Sequence, residues 1–192
     1  LQPGVPFHTF HLHHFEPTQT RFVVTGADAQ KRLVHELDGR PAADTLARHM
    51  GIPVDQLGDP NPQQLPTFAF HIGDRYYMRS VMTVQGSSLL MGGAVEEGSI
   101  LRLMTGLDLI DATRDGVERA LARVPGDAAA MILFNCAGRL IEAQLTGRVD
   151  GLYDAMSPVP TAGFTTYGEQ YGPMQVNHTL TGLVLGANLR HG

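Results

Sequence analysis

The feature that most constrains the fold is a series of short apolar segments in the middle of the chain. Four such segments, at residues 67–72, 75–84, 88–95 and 100–104, are separated by brief polar breaks that contain Gly, Ser, Asp or Glu. Short turns of this kind join neighbouring antiparallel strands. The sequence therefore predicts an antiparallel sheet between residues 67 and 104.

Helical spacing is found on both sides of this strand-rich region. Apolar residues recur at helical intervals in residues 41–50 and 108–124, and these patterns predict two helices. A weaker pattern over residues 140–156, interrupted by Gly147 and Gly151, predicts a third helix.

The last third of the chain adds further strands. Residues 128–134 form a continuous apolar run, which suits a strand that is buried on both faces. Strands are also predicted at residues 162–167 and 177–187, so that residues 128–167 form one strand–helix–strand unit. The order of elements predicts an α+β fold, with a mixed and mainly antiparallel sheet or sheets and flanking helices.

Composition and charge exclude several functional classes. The 192 residues carry a net charge of -5 with the nine histidines taken as neutral. This balance argues against nucleic acid as a partner, because proteins that bind it have basic surfaces. No apolar run approaches the roughly 18–20 residues of a membrane span, so we expect no membrane partner. The single cysteine, Cys136, excludes an intrachain disulfide framework and a Cys-rich zinc module.

Histidines are concentrated in a predicted N-terminal strand, residues 6–15. His11 and His13 lie on one face of this strand, about 6–7 Å apart, while His8 and His14 lie on the other. Two imidazoles at this spacing can bind one Zn, Ni or Cu ion, and a single one can bind haem iron. The alternative is a His-rich strand without a ligand, because no Cys, Asp or Glu stands at ligand spacing beside the pair.

The segment Asn135–Arg139 directly follows the predicted strand 128–134. Ligand sites gather where strand C-termini meet helix N-termini, and backbone N–H groups there can lower the pKa of a thiol. Cys136 is therefore a candidate ligand-binding residue, or a nucleophile with His178 as its base. A lone cysteine is most often a small buried apolar side chain, and this alternative stays open.

The most unusual string in the sequence is Gly163–Gly172, which reads Gly-Phe-Thr-Thr-Tyr-Gly-Glu-Gln-Tyr-Gly. Its glycines permit positive φ angles or a close approach of the backbone to a ligand. Tyr167 and Glu169 add hydrogen-bonding groups, and Asn177 begins the next predicted strand. A turn-rich loop would give the same pattern, so a binding loop and a structural turn are both open.

Arg79 stands in the otherwise apolar strand 75–84. A guanidinium on a half-buried strand needs a carboxylate or a ligand as its partner. Glu96, Glu97 or Glu169 could supply the carboxylate. The sequence thus predicts a structural ion pair or a ligand clamp at Arg79.

Taken together, these strings resemble the FIST family. Residues 163–172 followed by Asn177-His-Thr resemble the C-terminal signature of that family, and Tyr76-Tyr-Met-Arg79-Ser resembles a strand motif of its bacterial members. The similarity extends from about Phe7 to Ala187.

The resemblance implies a sensor module of a cytoplasmic bacterial signal-transduction protein, not an enzyme. It implies the end of an N-terminal FIST region at residues 1–40 and a C-terminal FIST domain at residues 41–192, with most of the N-terminal region outside this chain. FIST proteins are thought to bind small ligands, with amino acids suggested for some. One bacterial subset resembles this chain closely; its members bind haem, sense nitric oxide and regulate histidine kinases or cyclic-di-GMP enzymes.

From the residues and the resemblance we expect a polar pocket for a small ligand. The residues expected to form it are Cys136, Arg139, Tyr167, Glu169 and Asn177, with Arg79 as a charge partner. The alternative is binding of haem or a transition metal through His11 and His13, in which case haem is the cofactor. A protein-interaction module without a small ligand is the third interpretation.

Overall fold

A computed structural model describes residues 4–57 and 66–188 of the chain. Strands account for about 47% of it, and four α-helices are present among the described residues, which confirms the α+β class. In chain order the elements are β1 (Phe7–Leu12), β2 (Phe15–Asp28), β3 (Leu33–Leu37), β4 (Arg40–Pro41), α1 (Ala42–Met50), a 3₁₀ helix (Val54–Gln56), β5 (Thr67–Ile72), β6 (Arg75–Gln85), β7 (Ser88–Met91), β8 (Ile100–Gly106), α2 (Leu109–Leu121), β9 (Ala128–Cys136), α3 (Ala137–Leu145), α4 (Val149–Met156), β10 (Thr161–Thr166), β11 (Glu169–Tyr171), β12 (Met174–Val176) and β13 (Leu180–Gly186).

The chain divides into two compact units, each of which draws on more than one stretch of sequence. The first unit consists of the residues up to His14, Leu107–Pro173 and the residues from His178 onward. The second unit consists of Phe15–Gly106 and Met174–Asn177.

The second unit is built around a closed antiparallel sheet. Its strands pair in the order β2-β8-β5-β6-β7-β3, and β3 pairs again with β2, so the six strands form a ring; β4 pairs with β3 outside it. The predicted antiparallel run is thereby confirmed, with Gly73 and Gly86 at positive φ in its hairpin turns. Helix α1 contributes Leu46 to the core inside the ring, beside Leu37 and Phe68.

The predicted strands 88–95 and 6–15 differ most from the observed strands. The predicted strand 88–95 stops at Met91, because Gly92 and Gly93 leave the sheet where other side chains press against them. The predicted strand 6–15 is two strands, β1 and β2, which belong to different units. The break falls at His14, whose backbone carbonyl accepts a hydrogen bond from the Leu107 N–H at 2.7 Å.

The first unit contains a four-stranded sheet in the order β1-β13-β9-β10. Strand β10 runs parallel to β9, which confirms the predicted strand–helix–strand unit, whereas β13 is antiparallel to both β1 and β9. The core lies between this sheet and the helices, and it includes Phe10, Val117, Leu133, Leu152 and Val184.

The predicted single helix over residues 140–156 is wrong in its extent. Two helices, α3 and α4, occupy this region, and α3 begins three residues before the predicted start. Gly147 separates them with a φ of 66°, a left-handed conformation that ends a helix. The predicted loop after residue 167 contains two short strands, β11 and β12, on either side of Gly172. No helix among the described residues is both long and apolar enough to cross a lipid bilayer.

Candidate functional site

A buried network of polar side chains lies in the first unit around Arg139, at the start of α3. The Arg139 side chain has 0% of its surface exposed. Its Nε donates to Asn135 Oδ1 at 2.9 Å, its Nη2 to Thr113 Oγ1, and its Nη1 to His14 Nδ1 at 3.3 Å. Burial lowers the pKa of Arg139 to about 10, which leaves the guanidinium charged at neutral pH.

Two histidines of this network converge on one carboxylate oxygen. His14 Nε2 lies 2.9 Å and His178 Nε2 3.0 Å from Glu142 Oε2. Because Arg139 can only donate, His14 Nδ1 must accept from it, which places the His14 proton on Nε2 facing Glu142. Burial lowers the pKa of His14 to about 4. Burial alone would raise the pKa of Glu142, but the hydrogen bonds from the two histidines outweigh it and bring that pKa to about 2.

Glu169 is a buried acid of the first unit, with 4% of its surface exposed. Its carboxylate accepts hydrogen bonds from the hydroxyls of Thr166 and Thr179. Burial raises the pKa of Glu169. The neighbouring Tyr167 has 97% of its surface exposed and does not enclose a ligand within this unit. Of the residues predicted to form the pocket, Cys136, Arg139 and Glu169 are buried here, whereas Arg79 and Asn177 belong to the second unit.

Cys136 is a buried thiol at the junction of β9 and α3. Burial raises its pKa, the charge of Glu169 acts in the same direction, and the backbone of Gly138, His178 and Thr179 opposes the rise only in part. The His178 ring directs Nε2 to Glu142. These features favour a buried structural thiol over the nucleophile that the sequence left open.

The predicted metal pair, His11 and His13, has its rings 5.9 Å apart, and His11 stacks on Tyr171 with 5.0 Å between ring centroids. In the described part of the chain, the group of side chains close enough together to hold an ion is a different one, with His14, Glu142 and His178. Binding at His11 and His13 stays a prediction.

Arg79, on β6 in the second unit, is held by backbone carbonyls. Its Nε donates to Ala94 O at 3.2 Å, and its Nη1 to Met78 O at 3.2 Å and to Gln175 O. The guanidinium carbon lies 5.3 Å from the centre of the Phe70 ring. Burial lowers the pKa of Arg79. No carboxylate among the described residues pairs with this guanidinium, so the ion pair predicted as one alternative is not formed there.

Gly92 and Gly93 allow the side chains of Arg79, Gln175 and Asn177 to lie close to the backbone. A Cβ atom on Gly93 would lie 3.2 Å from the Arg79 guanidinium carbon and 2.6 Å from Gln175 Oε1. A Cβ atom on Gly92 would lie 2.8 Å from Asn177 Oδ1, which is buried and has no hydrogen-bond partner among the described residues. Glycine at these two positions allows this approach without displacing the three side chains.

Arg79 lines a cavity of about 540 Å³ in the second unit. The hydrogen bonds of Arg79 to the backbone carbonyls use Nε and Nη1, so the Nη2 amino group has no partner among the described residues. The same cavity is lined by polar side chains of His71, Glu96 and Ser99, and by the apolar Phe70 and Met174. The arrangement can bind an anionic oxygen at Arg79 beside an apolar group.

Sequence reasoning missed Glu142, the residue that joins the two histidines of the first unit. A signal was present: Glu142 follows Arg139 by three residues, a spacing that places both on one face of a helix. The predicted helix began at residue 140, which left Arg139 outside it and concealed the pair. Thr113 and the Phe70, His71 and Ser99 lining of the Arg79 cavity carried no recognisable signal.

Comparison with known proteins places the sequence of this chain in a family. The FIST C domain matches residues 27–172, and the FIST N domain matches residues 1–40. The uncharacterized protein Rv0628c of Mycobacterium tuberculosis is 29% identical over 187 residues, which cover 86% of this chain and 46% of the relative. The uncharacterized protein Mb0898c of Mycobacterium bovis is 29% identical over 181 residues, which cover 84% of this chain and 44% of the relative.

The chain thus spans less than half the length of these curated relatives. No solved structure matches it significantly. FIST domains are sensor domains of signal-transduction proteins. Because the FIST C domain alone matches most of the sequence, this chain belongs to the FIST family.

Proposed function

We propose that the chain is the ligand-binding part of a bacterial sensor, and that its ligand is a small molecule with a carboxylate group, an amino acid being the first candidate. The observation that carries the proposal is the Arg79 guanidinium. It is buried to 5% exposure, lacks a carboxylate partner among the described residues and lines a cavity of about 540 Å³.

Among the described residues, no carboxylate pairs with the charge of Arg79. Taking a cation out of water is costly, and buried charges are normally paired with an opposite charge. Three carbonyl oxygens satisfy part of the Arg79 hydrogen-bonding capacity, but they carry no net charge. A carboxylate that accepts from Nη2 would supply the missing charge, through a charge-assisted hydrogen bond of the stronger kind.

The other side chains in the cavity suit an amino acid. Glu96 offers a carboxylate for an ammonium group, and Ser99 offers a hydroxyl. Phe70 and Met174 offer apolar surface for a side chain. The volume lies within the roughly 300–1,000 Å³ that is usual for small-molecule sites.

The test is a thermal-shift and calorimetric screen of the purified chain against amino acids and simple carboxylates. A ligand present at about 100 times its Kd stabilises a protein by about 2.7 kcal/mol, which raises the Tm of a chain of this size by about 5–10 °C. We expect such a shift from at least one amino acid and none from its amide, in which the carboxylate is absent. If no carboxylate raises the Tm, or if acid and amide act equally, the proposal is wrong.

Variants locate the site. Arg79→Met is expected to abolish the shift, while Arg75→Met is the matched control, because Arg75 lies on the same strand with 53% of its side chain exposed. If the Arg79→Met protein shows the same Tm shift as the unaltered chain, the ligand does not bind at Arg79. Because the amide comparison uses the unaltered protein, the test remains decisive if Arg79→Met does not fold.

Haem binding with nitric-oxide sensing is the second candidate function. The observation in its favour is the pair of adjacent rings of His11 and His13, 5.9 Å apart. In this case the downstream partner would be a histidine kinase or a cyclic-di-GMP enzyme. Purified protein mixed with haemin should develop a Soret band that moves on addition of nitric oxide and is lost in a His11→Gln/His13→Gln variant. A protein that leaves haemin unbound would remove this candidate.

A further inference from the structure

Three potential metal ligands meet in the interior of the first unit. The Nε2 atoms of His14 and His178 lie 2.9 and 3.0 Å from Glu142 Oε2, and all three ligand atoms lie within 4.8 Å of one another. In a tetrahedral zinc site, metal–ligand bonds of about 2.0–2.2 Å place neighbouring ligand atoms about 3.3 Å apart. An expansion of a few tenths of an ångström would therefore admit an ion.

We propose that His14, Glu142 and His178 bind a divalent transition-metal ion, with Zn²⁺ as the best match. The proposal is independent of the ligand proposed for Arg79. Two imidazole nitrogens and one carboxylate oxygen form a ligand set that suits Zn²⁺, Co²⁺ and Ni²⁺ and discriminates against Ca²⁺ and Mg²⁺, which prefer oxygen. Three protein ligands leave the fourth tetrahedral position for water or a bound molecule.

The fold holds the His178 ring in place at a conformational cost. His178 has a φ of 57°, a left-handed conformation that is uncommon for residues other than glycine. Its ring packs against Gly138, where a Cβ atom would lie only 3.2 Å from Nδ1. Backbone strain of this kind gathers at functional sites, because the surrounding structure must maintain it. The strained residue, His178, is one of the three proposed ligands, and a role in metal binding would explain why this strain is maintained.

The ligands come from three separated parts of the sequence. His14 follows β1, Glu142 lies on α3, and His178 precedes β13. His14 has 1% of its side chain exposed, His178 5% and Glu142 15%, so all three ligands are largely shielded from solvent and the carboxylate is the most accessible of them. An ion there would join the sheet to α3.

Arg139 sets the strength of binding. Without metal, Arg139 Nη1 donates to His14 Nδ1 at 3.3 Å, and the His14 proton is on Nε2. Coordination through Nε2 requires the proton to move to Nδ1, where it would face the Arg139 N–H, so this hydrogen bond is lost; the ring stays neutral throughout. The cost of that loss weakens the site, and we infer that the ion is exchangeable rather than permanently bound.

The first experiment measures metal binding by the chelator-treated chain in competition with a chromophoric chelator. We expect one Zn²⁺ per chain, and a Co²⁺ complex with tetrahedral d–d bands but no thiolate charge-transfer band, since no cysteine is a ligand. His178→Asn and Glu142→Gln each remove a ligand, so each should weaken binding by at least the roughly 10–100-fold that loss of a residue supporting a ligand costs. Asn is the replacement at position 178 because it tolerates positive φ better than other residues except glycine.

Two controls distinguish this site from other histidines. His11→Gln/His13→Gln removes the other candidate pair, and His35→Asn removes an exposed histidine of the second unit; both proteins should bind Zn²⁺ as the unaltered chain does. Loss of binding in the His11→Gln/His13→Gln protein, or its persistence in His178→Asn, would overturn the proposal.

A readout on the unaltered protein covers the case in which a variant does not fold. Imidazole ¹⁵N resonances of His14 and His178 should move on addition of Zn²⁺, with the proton shifting from Nε2 to Nδ1 in His14. If Zn²⁺ leaves these resonances unchanged, the ion does not bind here.

Discussion

A side chain at position 163 would collide with the backbone of Leu133: a Cβ atom on Gly163 would lie 2.0 Å from the Leu133 carbonyl oxygen. The two residues are partners in the parallel pairing of β10 with β9. The first glycine of the 163–172 string is therefore required by the neighbouring strand. Its role is structural, whatever the rest of the string binds.

Gly163→Ala is accordingly expected to destabilise the protein, because β10 must move away from β9. Overpacking of this kind costs about 1–3 kcal/mol, and contact with a rigid backbone places this variant at the upper end. Urea denaturation measures the loss of unfolding free energy. The control is Gly4→Ala, at a position with open space and no positive φ. Equal denaturation midpoints for the two variants would contradict the expectation.

Replacement of Arg139 by Met should be among the most destabilising changes in the first unit. It removes three hydrogen bonds and leaves Asn135, Thr113 and the Glu142 carboxylate without their buried cation. Breaking a buried charged network in this way costs about 3–5 kcal/mol. Arg123→Met, at an exposed position, should change the unfolding free energy by no more than about 0.5 kcal/mol. A similar small effect at Arg139 would show that the network is not stabilising.

Asp108 makes the stability of the first unit depend on pH. Its carboxylate accepts from both amino groups of Arg148, at 2.6 and 3.0 Å, and caps α2 through the Ile110 and Asp111 N–H groups. The hydrogen bond from Arg148 is the largest contribution that lowers the pKa of Asp108, from 3.8 to about 2. Because the folded pKa is the lower one, the stabilisation is present above about pH 4 and is lost as the pH falls toward 2.

Asp108→Asn tests this pH dependence with the cap retained, since asparagine caps helices as well as aspartate. Between pH 5 and pH 2.5, the unfolding free energy of the unaltered chain should fall more steeply than that of the variant. Asp108→Ala, which also loses the cap, should be less stable than Asp108→Asn by about 1 kcal/mol at pH 7. Parallel curves for the unaltered chain and Asp108→Asn would exclude a contribution from this ion pair.

Cys136 should react slowly with thiol reagents in the folded protein. Burial raises its pKa, so little thiolate is present at pH 8, and the side chain is only 4% exposed. We expect modification by a disulfide reagent to be about 100-fold or more slower in the folded chain than in urea. As the chain has one cysteine, the absorbance change reports this residue alone. Rapid reaction of the folded protein would instead support Cys136 as a nucleophile, the alternative that the sequence left open.

Elements with strong local patterns were predicted well. The strand 67–72 was predicted with the limits that it has, since alternation of side chains and a Gly-Asp turn both act over a few residues. The break at His14 and the separate helices α3 and α4 were not predicted. Their causes are the burial of His14 and the left-handed backbone of Gly147, neither of which alters local hydropathy.

The sequence by itself determined the fold class and most strands and helices, because propensity and periodicity are properties of neighbouring residues. The family follows from its motifs in the same way. Tertiary structure alone decided which polar groups meet: His14 and Glu142 are 128 positions apart, and Arg79 reaches the Gln175 carbonyl across 96. Such contacts depend on strand pairing between distant segments, and a buried charge takes its chemistry from whatever that pairing places beside it.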